Sequence, residues 1–171
     1  MSVEQITTRA GVSRATFFNY FGAKSDLLWA DLDPAFHAAP ALAADLPVGL
    51  DALDATALLL AGVAERIPAA PAVLVEREVI GAAGAVLEAG LPRLLALERI
   101  LRRVALARSV AAPEVVETFT AGTLAMCAVA GRRWLDAGAE RRLAVSYVTD
   151  LEPLLQGYRA VLPPIGGSGR A

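Results

Sequence analysis

Residues 2–28 of this chain read SVEQITTRAGVSRATFFNYFGAKSDLL. Ser2 and Gln5 have the spacing of a capping box, which predicts that a helix begins directly after Ser2. Gly11 is expected to end that helix, and Ser13 is a favourable N-cap for a second helix over residues 14–21. The segment is therefore predicted to form two short helices that meet at a tight glycine turn, which is the layout of a helix-turn-helix.

The second of these helices has an apolar and a polar side. Phe17 and Phe21 lie four positions apart, so they are expected to face inward together with Ile6, Ala10 and Val12. The positions left outward are Arg14, Ala15, Thr16, Asn19 and Tyr20. In a helix-turn-helix the second helix lies in the major groove of DNA, with its first residues at the base edges. Arg14 can then contact a guanine edge and Ala15 a thymine methyl group. Asn19 can contact a base or a phosphate, and the hydroxyls of Thr16 and Tyr20 can contact phosphates.

A third helix is predicted to begin near Lys24 or Ser25 and to run up to Pro34, which disturbs a helix interior. At the start of this helix, Lys24 is placed to bind a phosphate with help from the helix dipole. Local charge does not distinguish DNA binding from an ordinary polar surface helix, because residues 1–26 carry three basic and two acidic side chains.

The rest of the chain has the composition of a helical protein. Of its 171 residues 36 are Ala, 56% are hydrophobic and 20% are charged, and the formal net charge is −2. This composition excludes a disordered chain and favours helices over strands. After a loop at about residues 39–49, apolar helical stretches are expected at about residues 50–67, 72–89, 92–109, 113–137 and 141–162, and residues 163–171 are expected to form a flexible tail.

The last of these stretches carries a heptad pattern that predicts a partner helix. Its members are Ala144, Val148, Leu151, Leu155, Tyr158 and Leu162. Pro153 lies inside the pattern and predicts a kink or a restart. The stretch 113–137 carries small residues that permit close approach of a second helix, namely Ala121, Gly122, Ala125, Ala128 and Gly131. These two stretches are the predicted dimer surface; the alternative is that the first of them is an Ala-rich internal helix.

Few residues in the chain suit catalysis. His37 is the sole histidine, which leaves no histidine cluster for a metal and little material for a Ser-His-Asp triad. The single cysteine, Cys127, lies in an apolar run and is expected to be a small buried hydrophobe rather than a reactive thiol. Neither a P-loop nor a dinucleotide fingerprint is recognisable, nor are a signal peptide and a membrane-length apolar segment. The sequence predicts no catalytic residue, no metal site and no cofactor, in a cytoplasmic protein without a membrane partner.

The N-terminal segment resembles the helix-turn-helix and following helix of TetR-family transcriptional regulators. The run that carries the resemblance is Ile6-x-x-x-Ala10-Gly11-Val12-Ser13-x-x-Thr16-Phe17-Phe18-x-Tyr20-Phe21-x-x-Lys24-x-Asp26-Leu27-Leu28. The resemblance implies that the DNA-reading positions are Arg14, Ala15, Thr16, Phe18, Asn19 and Tyr20, and that Lys24 contacts a phosphate. It implies an all-α fold with a DNA-binding head at residues 1–30 and a helical effector-binding and dimerisation domain at residues 31–162.

The resemblance also implies a function. A ligand-responsive regulator, a repressor of the TetR type, is expected to bind palindromic double-stranded operator DNA as a homodimer through residues 113–137 and 141–162. A small-molecule effector among the central helices then shifts the spacing of the two heads. Phe119, Met126 and Trp134 are large enough to line its cavity, but apolar side chains at helical spacing more often form plain core, so the effector residues stay unassigned. Residues 17–33 are also similar to the branch that contains the mycofactocin-system regulators, which favours an acyl-thioester or other apolar effector.

TetR-family proteins have a further helix before the one that follows Ser2 here, and this sequence does not show it. That helix covers the apolar side of the two-helix motif, so Ile6, Val12, Phe17 and Phe21 are expected to be partly uncovered, which costs free energy. We therefore expect the 171-residue form to bind operator DNA weakly or not at all and upstream codons to restore binding; equal affinity of both forms in a gel shift would contradict this. The alternative function is a helical small-molecule-binding and dimerisation module with an impaired DNA-binding head.

Overall fold

The computed structural model describes residues 2–22, 24–69 and 83–162, in which the regular elements are helices and no strand occurs. The N-terminal elements are short: α1 (Val3–Ala10), α2 (Arg14–Tyr20), a 3-10 helix (Lys24–Trp29), α3 (Asp33–His37) and α4 (Ala39–Ala44). The later helices are longer: α5 (Ala52–Glu65), α6 (Ala83–Leu106), α7 (Pro113–Asp136) and α8 (Leu143–Gly157), which a 3-10 turn (Tyr158–Ala160) follows. The predicted all-α class is confirmed.

The first two helices form where their capping residues predict. The Gln5 N–H donates to Ser2 Oγ at 3.2 Å and the Ser2 N–H donates to Gln5 Oε1 at 2.7 Å, which completes the capping box of α1. Gly11 ends α1 at φ 67°, a left-handed conformation that glycine adopts without steric cost. Ser13 Oγ accepts the Thr16 N–H at 3.0 Å and so caps α2.

Two predictions for residues 24–49 are wrong. Residues 24–29 form a 3-10 helix rather than the start of an α-helix, and Pro34 lies in the first turn of α3 instead of ending a helix. The predicted loop at residues 39–49 contains α4, which again has a proline in its first turn. In a first turn the missing proline N–H has no intrahelical partner to lose, so both prolines favour helix initiation here.

The predicted boundary between the stretches 72–89 and 92–109 is also wrong. Helix α6 runs without a break from Ala83 to Leu106, through Gly90 and Pro92. Pro92 removes one backbone hydrogen bond, and the burial of Leu97 and Leu101 farther along α6 offsets that cost. The first part of the predicted stretch 72–89 and the predicted tail, residues 163–171, lie outside the described residues.

One apolar core joins the 3-10 helix at residues 24–29 to α3 through α8. From the heptad pattern, Leu151, Leu155 and Leu162 are buried in this core, and α8 packs against α5 and α7 of the same chain. The partner helices that the heptad pattern predicts therefore lie within the same chain. Pro153 does not end α8, which continues to Gly157. Over the described ranges, no helix is long and apolar enough to cross a membrane.

Candidate nucleic-acid interface and its connection to the core

Helix α2 turns most of its predicted DNA-reading residues to the surface. Exposed positions on α2 are Arg14, Ala15, Phe18, Asn19 and Tyr20. Tyr20 is the most exposed large side chain among them, at 80%, whereas Phe17 beneath them is 4% exposed. Thr16 is half-buried, and its hydroxyl lies 2.9 Å from Ser13 Oγ, so the cap of α2 engages it.

A small aromatic cluster supports α2 from below. The Phe17 ring lies 5.3 Å from Phe18, edge to face, and 5.2 Å from Phe21 between ring centroids. Phe17 is buried and Phe21 half-buried, as the inward face requires. Ala10 and Val12 were predicted on the same face, but both are exposed. Ala10 is the last residue of α1, and Val12 lies just after its C-cap.

Arg14 has two partners within the head. Its guanidinium forms an ion pair with the Glu4 carboxylate of α1 and stacks 5.9 Å from the centroid of the Phe18 ring. The pKa of Glu4 is lowered, first by hydrogen bonds from its backbone and from Ser2 and then by the Arg14 charge. The Glu4 carboxylate therefore occupies the Arg14 guanidinium. A DNA phosphate or guanine that binds Arg14 would have to compete with this ion pair.

Lys24 opens the six-residue 3-10 helix that follows α2. A short 3-10 helix lacks the aligned peptide dipoles of a full α-helix, so the expected help from a helix dipole is weak at this position. The proposed contact of Lys24 with a phosphate then depends on its positive charge and on its place immediately beyond α2.

The 3-10 helix packs on α6, and Arg93 of α6 binds one carboxylate within the 3-10 helix, Asp26, and one just after it, Asp33. Arg93 Nε and one terminal nitrogen donate to the two carboxylate oxygens of Asp33 at 2.5 and 2.9 Å, and the other terminal nitrogen lies 3.4 Å from Asp26 Oδ1. These hydrogen bonds, led by those to Asp33, raise the pKa of Arg93. We call this arrangement the Arg93 clamp; it ties the segment that follows the head to the helical core.

Trp29 lies at the centre of this junction and is 5% exposed. Its indole stacks under the Arg93 guanidinium, 5.4 Å from the ring centroid, and meets Phe36 edge to face at 5.4 Å. Gly90 leaves the space that the indole occupies, because a Cβ at this position would lie 1.9 Å from Trp29 Cζ2. Sequence inspection missed Trp29, Gly90 and Arg93, whose roles depend on contacts between distant segments.

Trp29 also lines a cavity of about 90 Å³. Side chains from the 3-10 helix, α3, α5, α6, α7 and α8 line it, and all those within the described residues are uncharged. Trp134 contributes to the wall, as expected of an effector cavity, whereas Phe119 and Met126 are absent from the described lining and belong to or pack on the core. Ala128 and Gly131, which were predicted to permit close approach of a second helix, also line the cavity.

The polar side chains among the cavity residues satisfy each other or the backbone. Cys127 Sγ and Tyr147 Oη lie 3.7 Å apart, within hydrogen-bond range for sulfur. Burial raises the pKa of the Cys127 thiol to about 11 and raises that of Tyr147 as well, so both groups remain neutral at pH 7. Trp134 Nε1 donates to the Arg141 carbonyl at 2.6 Å. The raised pKa keeps the Cys127 thiol protonated, in agreement with its apolar sequence context.

Comparison with known proteins identifies a family to which the N-terminal segment is similar. Residues 1–30 match the family model described as bacterial regulatory proteins, tetR family. A search of curated proteins finds no significant match to the chain. The match covers α1, α2 and the 3-10 helix, the elements that present the exposed α2 surface and join it to the core. Residues 1–30 are thus the DNA-binding segment of a TetR-type transcriptional regulator, and the regular elements among the described residues that follow it are helices.

Proposed function

We propose that the chain is a ligand-responsive dimeric regulator, a repressor of the TetR type, which inserts α2 into the major groove of palindromic operator DNA. The observation that carries this proposal is the exposed side of α2, where Arg14, Asn19 and Tyr20 project above the buried Phe17. In this arrangement Arg14 reads a guanine edge, Asn19 a base or phosphate, and Tyr20 a phosphate. Ala15, Thr16 and Phe18 complete the groove-facing set, and Lys24 binds a phosphate. Such a regulator acts in the cytoplasm, where bacterial DNA is located.

The DNA contacts are tested on a duplex that the chain selects from a random-sequence pool. We expect Arg14→Ala to weaken binding about 10- to 100-fold and to relax preference at one base pair, because a bidentate arginine–guanine contact is lost. Lys24→Ala should weaken binding to all sequences alike and reduce the slope of log affinity against log salt by about 1. Fluorescence anisotropy over a salt series measures both effects. Unchanged affinity in both variants would contradict the groove assignment.

Glu4→Gln, measured in the same titration, is a variant that should strengthen DNA binding instead of weakening it. Removing the carboxylate frees Arg14 from its ion pair and removes a negative charge from the head, so affinity should rise several-fold. Glu65→Gln, an exposed glutamate on α5, is the matched control and should leave affinity unchanged. If the wild type and Glu4→Gln both select no duplex while the chain still binds a small molecule, the binding-module alternative is favoured.

The proposed dimer uses the outer faces of α7 and α8. Ala121, Ala125 and Val129 of α7 are exposed at four-residue intervals and form one stripe, and Val145 of α8 is exposed at 59%. Gly122, in contrast, faces its own chain, since a Cβ there would lie 2.7 Å from Tyr158 Oη. The exposed small side chains allow a second copy to approach closely, and two heads then read a palindrome.

Sedimentation equilibrium measures the association of the full chain. We expect a dimer at tens of micromolar, and Ala125→Arg should shift it to monomer by placing two like charges near the twofold axis. Ala96→Arg, on the exposed side of α6, is the matched control and should leave the dimer intact. A monomeric wild type at this concentration would contradict the dimer.

A further inference from the structure

We infer that the turn between α7 and α8 makes a second contact with DNA, in which its arginines bind phosphates at the centre of the operator, between the two half-sites that the heads read. The inference rests on the proposed function, since it needs a dimer with both heads on one duplex. We call this segment the basic turn; its positively charged members are Arg132, Arg133, Arg141 and Arg142.

The basic turn carries an excess of positive charge within an acidic chain. Residues 132–142 contain four arginines and two acidic residues, which gives a net charge of +2. Because the whole chain has a net charge of −2, the residues outside this segment carry −4. All four arginines are exposed, and the side chains of Arg132, Arg141 and Arg142 form no ion pair with another described residue. These three guanidinium groups are therefore open to an external anion.

The basic turn lies at the end of the helical core to which the head is attached. Trp29, Trp134 and Leu143 line one cavity, so the end of α7 and the start of α8 lie beside the segment that follows the head. Ile67, just after the end of α5, lines the same cavity, whereas α8 leads to Arg159, which binds Asp51 at the start of α5. The start and the end of α8 therefore lie at different ends of the core, and the arginines of the basic turn are at the end nearer the head.

Contacts with the core hold the basic turn in place. The Ala139 N–H donates to the Trp134 carbonyl at 2.9 Å, and Trp134 Nε1 donates to the Arg141 carbonyl at 2.6 Å. Both Trp134 and Ala139 are buried. The backbone that carries Arg141 and Arg142 is thus ordered before DNA binds, which reduces the entropic cost of a phosphate contact.

Helix stability does not account for the two arginines before α8. Arg142 occupies the N-cap position of this helix, and no side chain caps it. The favoured residues at this position are Ser, Thr, Asp and Asn, and a cation beside a helix N-terminus is unfavourable. A DNA phosphate bound by the guanidinium groups of Arg141 and Arg142 would offset that unfavourable charge.

The proposed dimer brings two basic turns together. Val129 of α7 and Val145 of α8, both on the proposed interface, are each three positions from an arginine of the basic turn, which is about one helical turn. The turns of the two copies therefore approach each other near the twofold axis, where their like charges repel. A duplex that extends from one head to the other crosses this axis at the same end of the core. The phosphates at the operator centre then face both turns and offset the repulsion.

A triple variant tests the contact on the selected duplex by fluorescence anisotropy over a salt series. It combines Arg132→Gln, Arg141→Gln and Arg142→Gln. We expect binding to weaken by about tenfold or more at low salt, and the slope of log affinity against log salt to decrease in magnitude by about 2 or more, with unchanged base preference. The melting temperature should not fall, because these side chains make no ion pair within the described residues. A lower melting temperature with an unchanged salt slope would overturn the contact and assign the arginines to stability.

A second triple variant on α6 is the matched control. Arg99→Gln, Arg102→Gln and Arg103→Gln remove the same charge from exposed positions. They lie six to ten residues beyond Arg93, which is about 9 to 15 Å farther along α6 from the junction with the head. This variant should weaken DNA binding less than about threefold, since distant exposed charges are screened by salt. Equal weakening by the two triple variants would overturn the inference, because net charge alone would then explain the loss.

Uncharged phosphate analogues in the duplex locate the contact. Methylphosphonates in place of the central phosphates should weaken binding of the wild type by about tenfold and leave that of the basic-turn variant unchanged. The same replacement at the outer ends of the duplex is the control and should affect both proteins alike. A wild type that binds the centrally neutralised duplex with full affinity would overturn the inference and leave the proposed function standing. A wild type that selects no duplex contradicts the proposed regulator itself, and this inference with it, so the two failures are distinguishable.

Discussion

Gly90→Ala is expected to destabilise the protein by about 3 kcal/mol, the upper part of the range for overpacking a filled core. The added methyl would lie 1.9 Å from Trp29 Cζ2 and 2.5 Å from Cη2, far inside van der Waals contact. The indole is 5% exposed and is held between Phe36 and Arg93, so it can yield only toward the cavity that it lines. Denaturant unfolding at fixed protein concentration measures the change, since association also affects stability.

A double-mutant cycle identifies the clash as the cause. In a Trp29→Leu background the indole atoms are gone, and Gly90→Ala should then be neutral or stabilising by up to about 1 kcal/mol, because alanine favours a helix interior over glycine. Gly131→Ala is the matched control within α7: its Cβ meets no atom within 4 Å, so it should not destabilise. A loss of stability by Gly90→Ala that is the same with and without Trp29 would contradict the close contact.

The parts of the fold that were predicted correctly depend on neighbours in the sequence. Ser2 and Gln5 are three residues apart, Ser13 caps the helix that begins beside it, and Gly11 ends the helix that precedes it. These interactions are complete within one turn, so their spacing is visible before any fold is known. The same applies to the exposed side of α2, which needs only the period of a helix.

The features that sequence inspection missed depend on contacts between distant segments. Arg93 and Asp33 are 60 positions apart, and Gly90 meets Trp29 across a similar separation. In the sequence Gly90 and Pro92 have the appearance of helix breakers, yet the glycine provides room for an indole and the helix continues. The heptad pattern of α8 correctly indicates a buried face, but a pattern on one helix does not specify which helix covers it, and α5 and α7 of the same chain do.

Arg93→Ala should both destabilise the protein and weaken its binding to DNA. The side chain is 20% exposed and makes two hydrogen bonds to Asp33, with Asp26 at the edge of range. Its loss should cost about 2 kcal/mol, between the value for an exposed ion pair and that for a buried one. Without the clamp the 3-10 helix is held less firmly on α6, so the binding-competent arrangement of the head is less populated, and DNA affinity should fall roughly tenfold. Chemical unfolding and anisotropy measure the two effects separately.

Arg159, in the 3-10 turn after α8, provides a matched control. It also binds two carboxylates, Asp51 at 2.9 Å and Asp54 at 2.7 Å, but it joins the start of α5 to the turn after α8. Since its side chain is 44% exposed, Arg159→Ala should cost less than about 1 kcal/mol and leave DNA affinity unchanged. Arg93→Lys keeps the charge but lacks the planar fork that engages both Asp33 oxygens, so its DNA affinity should lie between wild type and Arg93→Ala. Equal weakening of DNA binding by Arg93→Ala and Arg159→Ala would mean that general stability, rather than the attachment of the head, controls binding.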